Sequence, residues 1–385
     1  MVIGIIGNGK IGLPFGLLCR KAGYDVIMSD SDEDFITNLN QNIYLVNEPL
    51  IQRFLFEESP FSATTDNVEV IKNSDIIFTF VESTPSVDGN YDTTNLFEVV
   101  NSFFTTSQLE IPIYEKKFVV CSTTNPGEVQ QIQDKLSMFN IQVAYNPNFV
   151  EHGEIINNLQ QSEIVLIGTE YQSLADELIQ IYNKIQTKSV KAFVMGMRSA
   201  EIAKLGLNSF ISTKIMFANM LGDLLKSVGL SQDINVVLNA ISSDSRIGNK
   251  SFKYNLGFGG PTLPKDIKAL SNYIENLNTG VNLLPKVEEL NNTHLNFIKE
   301  FYIKQNPDKT NPFVIKSLVY KKDTDILESS PQLKLCVDLL DDGYTVHVIE
   351  TNEIISKLNS LSESYNGRLK FFKLGTNPEG FLIDL

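Results

Sequence analysis

The chain has 385 residues, enough for two or three domains. With 42% apolar and 20% charged residues, it is composed like a globular protein and not like a disordered or fibrous one. Its 46 acidic against 32 basic side chains give a net charge of −14, which argues against nucleic acid or an anionic membrane as a partner. A small phosphate-bearing ligand held by a local loop remains compatible with that charge.

Three cysteines cannot build a disulfide framework, so a reducing cytoplasmic setting is expected. No apolar run reaches the ~18 residues of a membrane span, and no basic segment precedes the first strand, so no signal peptide is expected. No metal site is expected either.

In chain order, residues 2–6 form a short apolar run expected as a strand, followed by a glycine-rich turn and an apolar-periodic helix over 11–22. Residues 26–28, 75–81, 118–121 and 163–167 read as further strands. Strands separated by helical stretches of about 10–15 residues indicate βαβ units and a parallel sheet covered on both faces. From 199 to about 225 the pattern becomes one long helix, apolar on nearly all sides, which predicts burial in a large protein or an oligomer. A Gly/Pro-rich loop over 257–264 follows, then more helix to about 299 and a turn-rich linker over 305–311. A smaller α/β unit completes the chain, with a strand at 312–320, a helix at 333–341 and a strand at 345–349. The expected fold is α/β, with two Rossmann-like doubly wound domains joined by a long central helix and a helical middle domain. The expected boundaries are 1–190 for dinucleotide binding, 191–300 for the helical dimerising middle, and 301–385 for the second Rossmann-like domain.

Gly7-Asn8-Gly9-Lys10-Ile11-Gly12 follows a strand and opens a helix. Glycines there allow a tight turn, close backbone approach to a pyrophosphate and close helix–strand packing, while the helix N-terminus offers N–H donors. Asp30 ends the second strand, 18 residues beyond Gly12. An acid at that place accepts from a ribose 2′-hydroxyl and repels a 2′-phosphate, which selects NAD over NADP. Gly7, Gly9, Lys10, Ile11, Gly12 and Asp30 are therefore expected to bind NAD; the alternative is a glycine turn that only packs helix on sheet.

Glu201, Lys204 and Asn208 fall on one face of the long helix. Burying a lysine is costly unless it is paired or used. Either Lys204 belongs to a solvated stripe at the helix edge, or Lys204 and Asn208 face an oxygen that gains negative charge during a reaction. The loop Gly257-Phe258-Gly259-Gly260-Pro261-Thr262-Leu263-Pro264-Lys265-Asp266 carries three glycines and two prolines. A path so specified surrounds a ligand more readily than it connects two helices, although Asp266 by itself would also suit a helix N-cap.

Taken together these residues resemble the UDP-glucose/GDP-mannose dehydrogenase family, nearly end to end. The landmarks are the glycine loop with Asp30; Asn47-Glu48-Pro49-Leu50; Thr84-Pro85-Ser86 with Asp88, Gly89 and Asp92; and Ser122-Thr123 with Pro126-Gly127. They continue through Asn146-Pro147 with Phe149 and Gly153; Glu201, Lys204 and Asn208; Ser245-Arg246-Ile247-Gly248; the loop 257–266; and a Lys-Lys-Asp-Thr segment over 321–331. The resemblance implies NAD-dependent oxidation of a nucleotide-sugar C6 alcohol to a carboxylate, a role in polysaccharide biosynthesis, and a homodimer formed through the long helix. It implies that Thr84, Pro85 and Thr123 join the cofactor site. Asn148, Phe149, Val150, Glu151, Lys204, Asn208, Arg246, Phe252, Phe258 and Gly259 would contact a UDP- or GDP-sugar. Lys204 and Asn208 would hold the oxyanion, and Asp266 and Thr123 would organise a water and its proton transfers.

The sequence departs from the family on one half of that chemistry. Thr262 stands where the family keeps the cysteine that attacks the intermediate aldehyde. Asn148 and His152 stand where two assisting glutamates belong, Glu151 aligns with an arginine, and Leu327 replaces a C-terminal arginine. A hydroxyl gives up its proton far less readily than a thiol near ~8.5, so Thr262 is a poor nucleophile without a base. His152 is a candidate for that base or for activating a water; alternatively it is a histidine merely satisfied by its neighbours. Three readings follow. Oxidation stops after one hydride; or Thr262 or a His152-activated water completes it; or the chain is a non-catalytic scaffold that binds NAD or a nucleotide sugar.

Overall fold

The computed structural model describes residues 1–45, 48–58, 62–322 and 324–383. They divide into two compact units, Met1–Leu205 and Gly206–Leu385.

The first unit contains, in order, β1 (Val2–Ile6), α1 (Gly12–Lys21), β2 (Asp25–Ser29), α2 (Glu33–Asn40), α3 (Ile51–Glu57), β3 (Ala63–Thr64), α4 (Asn67–Asn73) and β4 (Ile76–Thr79). A short antiparallel pair, β5 (Thr84–Pro85) and β6 (Tyr91–Asp92), comes next. It is followed by α5 (Thr94–Gln108), β7 (Lys117–Val120), α6 (Glu128–Leu136), β8 (Gln142–Tyr145), α7 (Ile155–Gln160), β9 (Val165–Gly168), α8 (Gln172–Ile185) and β10 (Ala192–Met195). Among the described residues eight of these strands form one sheet, in the order β10-β9-β8-β7-β4-β1-β2-β3.

Alternation along β1 sends Ile3 and Ile5 into one apolar cluster, with Leu13, Phe15, Met28 and Phe78, and Ile6 into the cluster on the other face, with Ile77, Phe118 and Val120. A strand buried on both faces needs apolar residues in both registers, which is why these strands read as continuous Val/Ile runs. Chain order reverses across β1, since β2 and β3 lie on one side and β4 and β7 on the other. That reversal opens a crevice beyond the carboxyl ends of β1 and β4, the place where doubly wound sheets bind ligands.

One feature departs from the all-parallel expectation. The β8–β9 pair is antiparallel and β9–β10 is parallel, so the last two strands run against the other six. The chain between β8 and β9 carries one short helix, α7, of six residues, and re-enters the sheet in the opposite direction.

The helix α9 (Met197–Ser227) begins in the first unit and continues into the second. The second unit then comprises α10 (Ile234–Ser242), α11 (Leu263–Asn276), α12 (Leu284–Ile303), β11 (Phe313–Ile315), α13 (Pro331–Asp341), β12 (Val346–Glu350), α14 (Asn352–Lys357), α15 (Asn359–Ser364), β13 (Leu369–Lys373) and β14 (Phe381–Leu382). Its sheet is parallel, in the order β13-β12-β11-β14, over a core that includes Phe313, Leu335, Cys336, Leu339 and Val348.

The long helix is not buried all round. Ile202, Phe210, Phe217, Met220 and Leu224 are exposed, Phe210 to 67%, and at 100° per residue they fall within one arc of the helix. The apolar pattern predicts burial in a large protein or an oligomer, and a single chain leaves this stripe open to solvent. No helix among the described residues is long and apolar enough to cross a membrane.

Candidate active site

The glycine loop forms the floor of the first unit's crevice. Gly7 has φ 88°, and a Cβ there would sit 2.8 Å from the Val81 backbone nitrogen beyond β4. A Cβ on Gly12 would overlap the Gly7 carbonyl oxygen, so the start of α1 is drawn tightly under the turn. Gly9 differs, because nothing lies within 4 Å of its missing side chain. Ile11 occupies the N-cap position of α1 without a side-chain hydrogen bond, which leaves first-turn N–H groups available to an anion. Lys10 is half-buried on the same turn.

Asp30 stands just past β2 and is pinned by two backbone donors, Asn8 N–H at 2.6 Å and Asp32 N–H at 3.1 Å. A carboxylate has about four lone-pair sites, so capacity remains for ribose hydroxyls. The Asn8 side chain is buried, yet neither polar atom has a hydrogen-bond partner among the described residues. A dinucleotide fits these residues: an open-fronted glycine, an uncapped helix start, a fixed acid and an unsatisfied buried amide.

Thr84 and Pro85 are exposed on β5, just beyond β4, and Thr123 is half-buried in the loop after β7. The glycine loop, Thr84-Pro85 and Thr123 thus follow the carboxyl ends of three neighbouring strands. Ser122 Oγ donates to the Val81 carbonyl at 2.7 Å and ties two of these loops together.

Glu201 acquires a definite task. Fully buried, it accepts from Thr124 Oγ1 at 2.9 Å, Gly127 N–H at 2.6 Å and Val129 N–H at 3.0 Å. It therefore caps α6 from outside and holds the loop that carries Thr123. Burial pushes its carboxyl above the usual 4.5, against the pull of the three donors. A raised folded-state value means that stability is fully present below the unfolded-state value of about 4.3 and is lost as pH rises through the raised one. Glu201→Gln is expected to flatten that fall in a pH series of denaturant titrations. At pH 7 it should cost about 1–3 kcal/mol, because one backbone N–H would face an amide instead of an acceptor.

Asn148, Phe149, Val150, Glu151 and His152 share the loop between β8 and α7. Phe149 and Val150 pack against the apolar clusters on opposite faces of the sheet. Asn148 and His152 are half-buried, and Glu151 is exposed. The loop is anchored by buried Glu48, which accepts from Gly153 N–H and Ile155 N–H, both at 2.9 Å. Its start is anchored by Asn146, which donates to the Leu166 carbonyl and accepts from Tyr182. The sequence marks Glu48 only as part of Asn47-Glu48-Pro49-Leu50, since a lone acid before a proline gives no local sign of a partner 105 residues away. Asn47 of that motif, like Asp323 of the Lys-Lys-Asp-Thr segment, lies outside the described residues.

Lys204 is 3% exposed and so belongs to no solvated stripe. One turn further along α9, Asn208 Nδ2 donates to Asp266 Oδ2. Asp266 is fully buried in the first turn of α11 and is not its N-cap. The N-cap is half-buried Thr262, whose side chain makes no capping hydrogen bond. Phe258 is buried and Gly259 half-buried, both on the loop leading to Thr262. Phe252 packs away from that loop against Ala218, Ile234 and Leu238. Arg246 is 86% exposed at its side chain and forms an ion pair with Asp244, two residues back, at 2.6 Å. The structure thus groups Thr262, Asp266 and Asn208 but leaves Phe252 and Arg246 outside that group.

None of the three thiols is poised to react. Cys19, Cys121 and Cys336 are buried, and burial raises each thiol, Cys336 to about 12. The thiolate is the nucleophilic form, so Cys121, close in sequence to Thr123, does not stand in for a loop cysteine.

Residues 1–186 match the profile of the UDP-glucose/GDP-mannose dehydrogenase family NAD binding domain, and residues 198–293 match the same family's central domain. The UDP-glucose 6-dehydrogenase of Rickettsia bellii is 28% identical over 360 residues, covering 91% of this chain and 81% of that one. The UDP-glucose 6-dehydrogenase TuaD of Bacillus subtilis is 28% identical over 344 residues, covering 86% and 72%. In fold, the chain is similar to a UDP-glucose dehydrogenase from Pyrobaculum islandicum, with a TM-score of 0.85 at 22% identity over 96% of this chain and 85% of that one. The chain belongs to the UDP-glucose/GDP-mannose dehydrogenase family, the NAD-dependent nucleotide-sugar dehydrogenases.

Proposed function

We propose that this enzyme oxidises the C6 alcohol of a UDP- or GDP-sugar and stops after one hydride, at the carbonyl. Bound NAD supplies the hydride acceptor. The glycine loop and Asp30 hold the dinucleotide, with Thr84, Pro85 and Thr123 beside it. Lys204 and Asn208 donate to the sugar oxygen as it becomes alkoxide-like, where preorganised donors lower the barrier most. Asp266 takes one of the two amide hydrogens of Asn208 and so orients the other toward the substrate. Thr123 and Asp266 arrange the water that carries the alcohol proton away. Asn148, Phe149, Val150, Glu151, Phe258 and Gly259 line the sugar nucleotide, with His152 at the same loop. Arg246 and Phe252 enter this reading only if a second copy of the chain brings them near. The exposed stripe on α9 supports such a homodimer, since an apolar row of this length is ordinarily covered.

One observation carries the halted oxidation: a threonine hydroxyl heads the helix that bears Asp266, while all three thiols are buried and raised. Without a thiol, the thiohemiacetal route from the aldehyde to a second hydride loss is closed. The test is the NADH yield per nucleotide sugar consumed, across UDP-, GDP- and dTDP-sugars. One NADH with a trappable carbonyl is expected, and Thr262→Cys should move the yield toward two with an acid product. Two NADH from the wild-type chain would refute the halt, and NAD binding without turnover on any sugar would point to a scaffold.

A further inference from the structure

The second unit holds a buried polar network that the reaction scheme above does not use. At its centre is His294 on α12, 2% exposed. Its Nδ1 lies 2.7 Å from Asp223 Oδ2 on α9, and its Nε2 lies 2.6 Å from the Asn255 carbonyl oxygen. A carbonyl only accepts, so Nε2 carries a proton. Asp223 also accepts from Tyr254 Oη at 2.7 Å and lies near the Lys226 ammonium one turn on. The carboxylate is thus the acceptor on both sides, and the ring carries a proton on each nitrogen. Lys226 in turn stacks over the rings of Tyr254, Phe301 and Tyr302 at 5.3, 4.2 and 5.6 Å, closing the network on that side.

The network fastens one short stretch of chain. Asn219 Oδ1 accepts from Asn255 N–H at 2.9 Å, Asn255 Oδ1 accepts from Gly257 N–H at 2.8 Å, and Asn291 Oδ1 accepts from Phe258 N–H at 2.9 Å. Asn291 Nδ2 returns a bond to the Phe258 carbonyl at 3.0 Å. Tyr254 reaches Asp223 only because position 222 is glycine; a Cβ there would overlap its ring. Gly257 and Phe258 open the glycine-proline loop, which ends where Asp266 meets Asn208 on the same helix α9. The loop is therefore bracketed along α9. Asn208 holds its far end, and Asn219 and Asp223 hold its entry, about 16 and about 22 Å away along the axis.

We infer that the buried His294–Asp223 pair is a positioning device for the substrate loop: it locks Asn255, and through it Gly257, beside the Phe258 that Asn291 of the same helix α12 holds, at the entry to the segment that carries Thr262. The inference rests on the proposed role of that loop in binding the sugar nucleotide. His294 touches no reacting atom and acts through Asn255.

The geometry supplies its own control. In Asp223→Asn the amide nitrogen donates to an unprotonated Nδ1, the amide oxygen still accepts from Tyr254, and Nε2–H still reaches Asn255, so the lock survives with one proton fewer. Three variants of the full chain are compared, His294→Leu, His294→Gln and Asp223→Asn. His294→Leu should raise KM for the nucleotide sugar at least about ten-fold, with kcat and NAD affinity within about two-fold. Amide exchange at Gly257 and Phe258 should accelerate by a similar factor. Asp223→Asn should keep wild-type KM and exchange, and ring 15N shifts should show two protonated nitrogens in the wild type but one in Asp223→Asn. With three histidines in the chain, that signal is assigned by difference. If His294→Leu fails to fold, His294→Gln keeps a single donor and should show the same changes in smaller measure. Unchanged KM and exchange in both His294 variants, or an Asp223→Asn chain as impaired as His294→Leu, would overturn the lock. If no sugar is turned over, the exchange rates at Gly257 and Phe258 still decide the matter independently of the catalytic reading.

Discussion

Lys204→Ala is expected to lower kcat by about 10²–10³-fold while NAD affinity stays within about two-fold. Lys204 is almost entirely removed from solvent on a helix of 31 residues. Asn208, four residues further along the same helix, is held by Asp266. A cation kept out of water exerts a stronger field on a nearby developing oxyanion than one at the surface, because bulk solvent no longer screens it. The loss should appear equally in kcat and kcat/KM, as for an interaction made only in the transition state. Lys204→Arg should not restore the rate, since a planar guanidinium needs more room than a buried ammonium leaves. Steady-state kinetics with a separate NAD titration is the measurement. A loss below about ten-fold would remove Lys204 from the reaction and leave it a structural cation.

The second large effect contrasts two glycines of one loop. Gly12→Ala should weaken NAD binding by at least about 10²-fold and also destabilise the cofactor-free chain, because the new Cβ would overlap the Gly7 carbonyl oxygen and must push α1 off the turn. Backbone cannot rotate away as a flexible side chain can, so the clash is relieved only by moving the helix start whose N–H groups serve the anion. Gly9→Ala meets open space and should leave the melting temperature of the cofactor-free chain nearly unchanged, yet still weaken NAD by obstructing the pyrophosphate's approach to the backbone. Thermal melts without cofactor, paired with NAD titrations, separate the two variants. If Gly9→Ala bound NAD as the parent does, the open space before Gly9 would not be where the dinucleotide lies.

Much of the molecule was legible in the residues because the relevant rules are local. Period-two and continuous Val/Ile runs gave β1, β4 and β7 their strands, and a glycine turn between strand and helix, with an acid ending the next strand, marked the crevice before any fold was known. The long helix was legible for the same reason, a pattern sustained over many turns. Its exposed stripe was not, since apolar periodicity reports which faces are greasy and not which of them the chain itself covers. Direction was equally hidden: nothing in residues 165–168 says that β9 runs against β8, because an apolar strand reads the same in either direction and the packing of the connection decides.

By itself, the sequence determined the chemistry available: an NAD-type loop, a lysine three and an asparagine seven residues beyond Glu201 on one helix face, and a threonine where the family resemblance implies a cysteine. Only the tertiary structure decided which polar groups are buried and whom they meet. Glu201 caps a helix more than 70 residues away, Glu48 pins a loop more than 100 residues away, and His294 bonds Asp223 across 71. None of the three carries a local sign of the partner it meets. Each role arises because burial strips away water and obliges the group to find a partner, and that partner is set by packing and not by proximity in the chain.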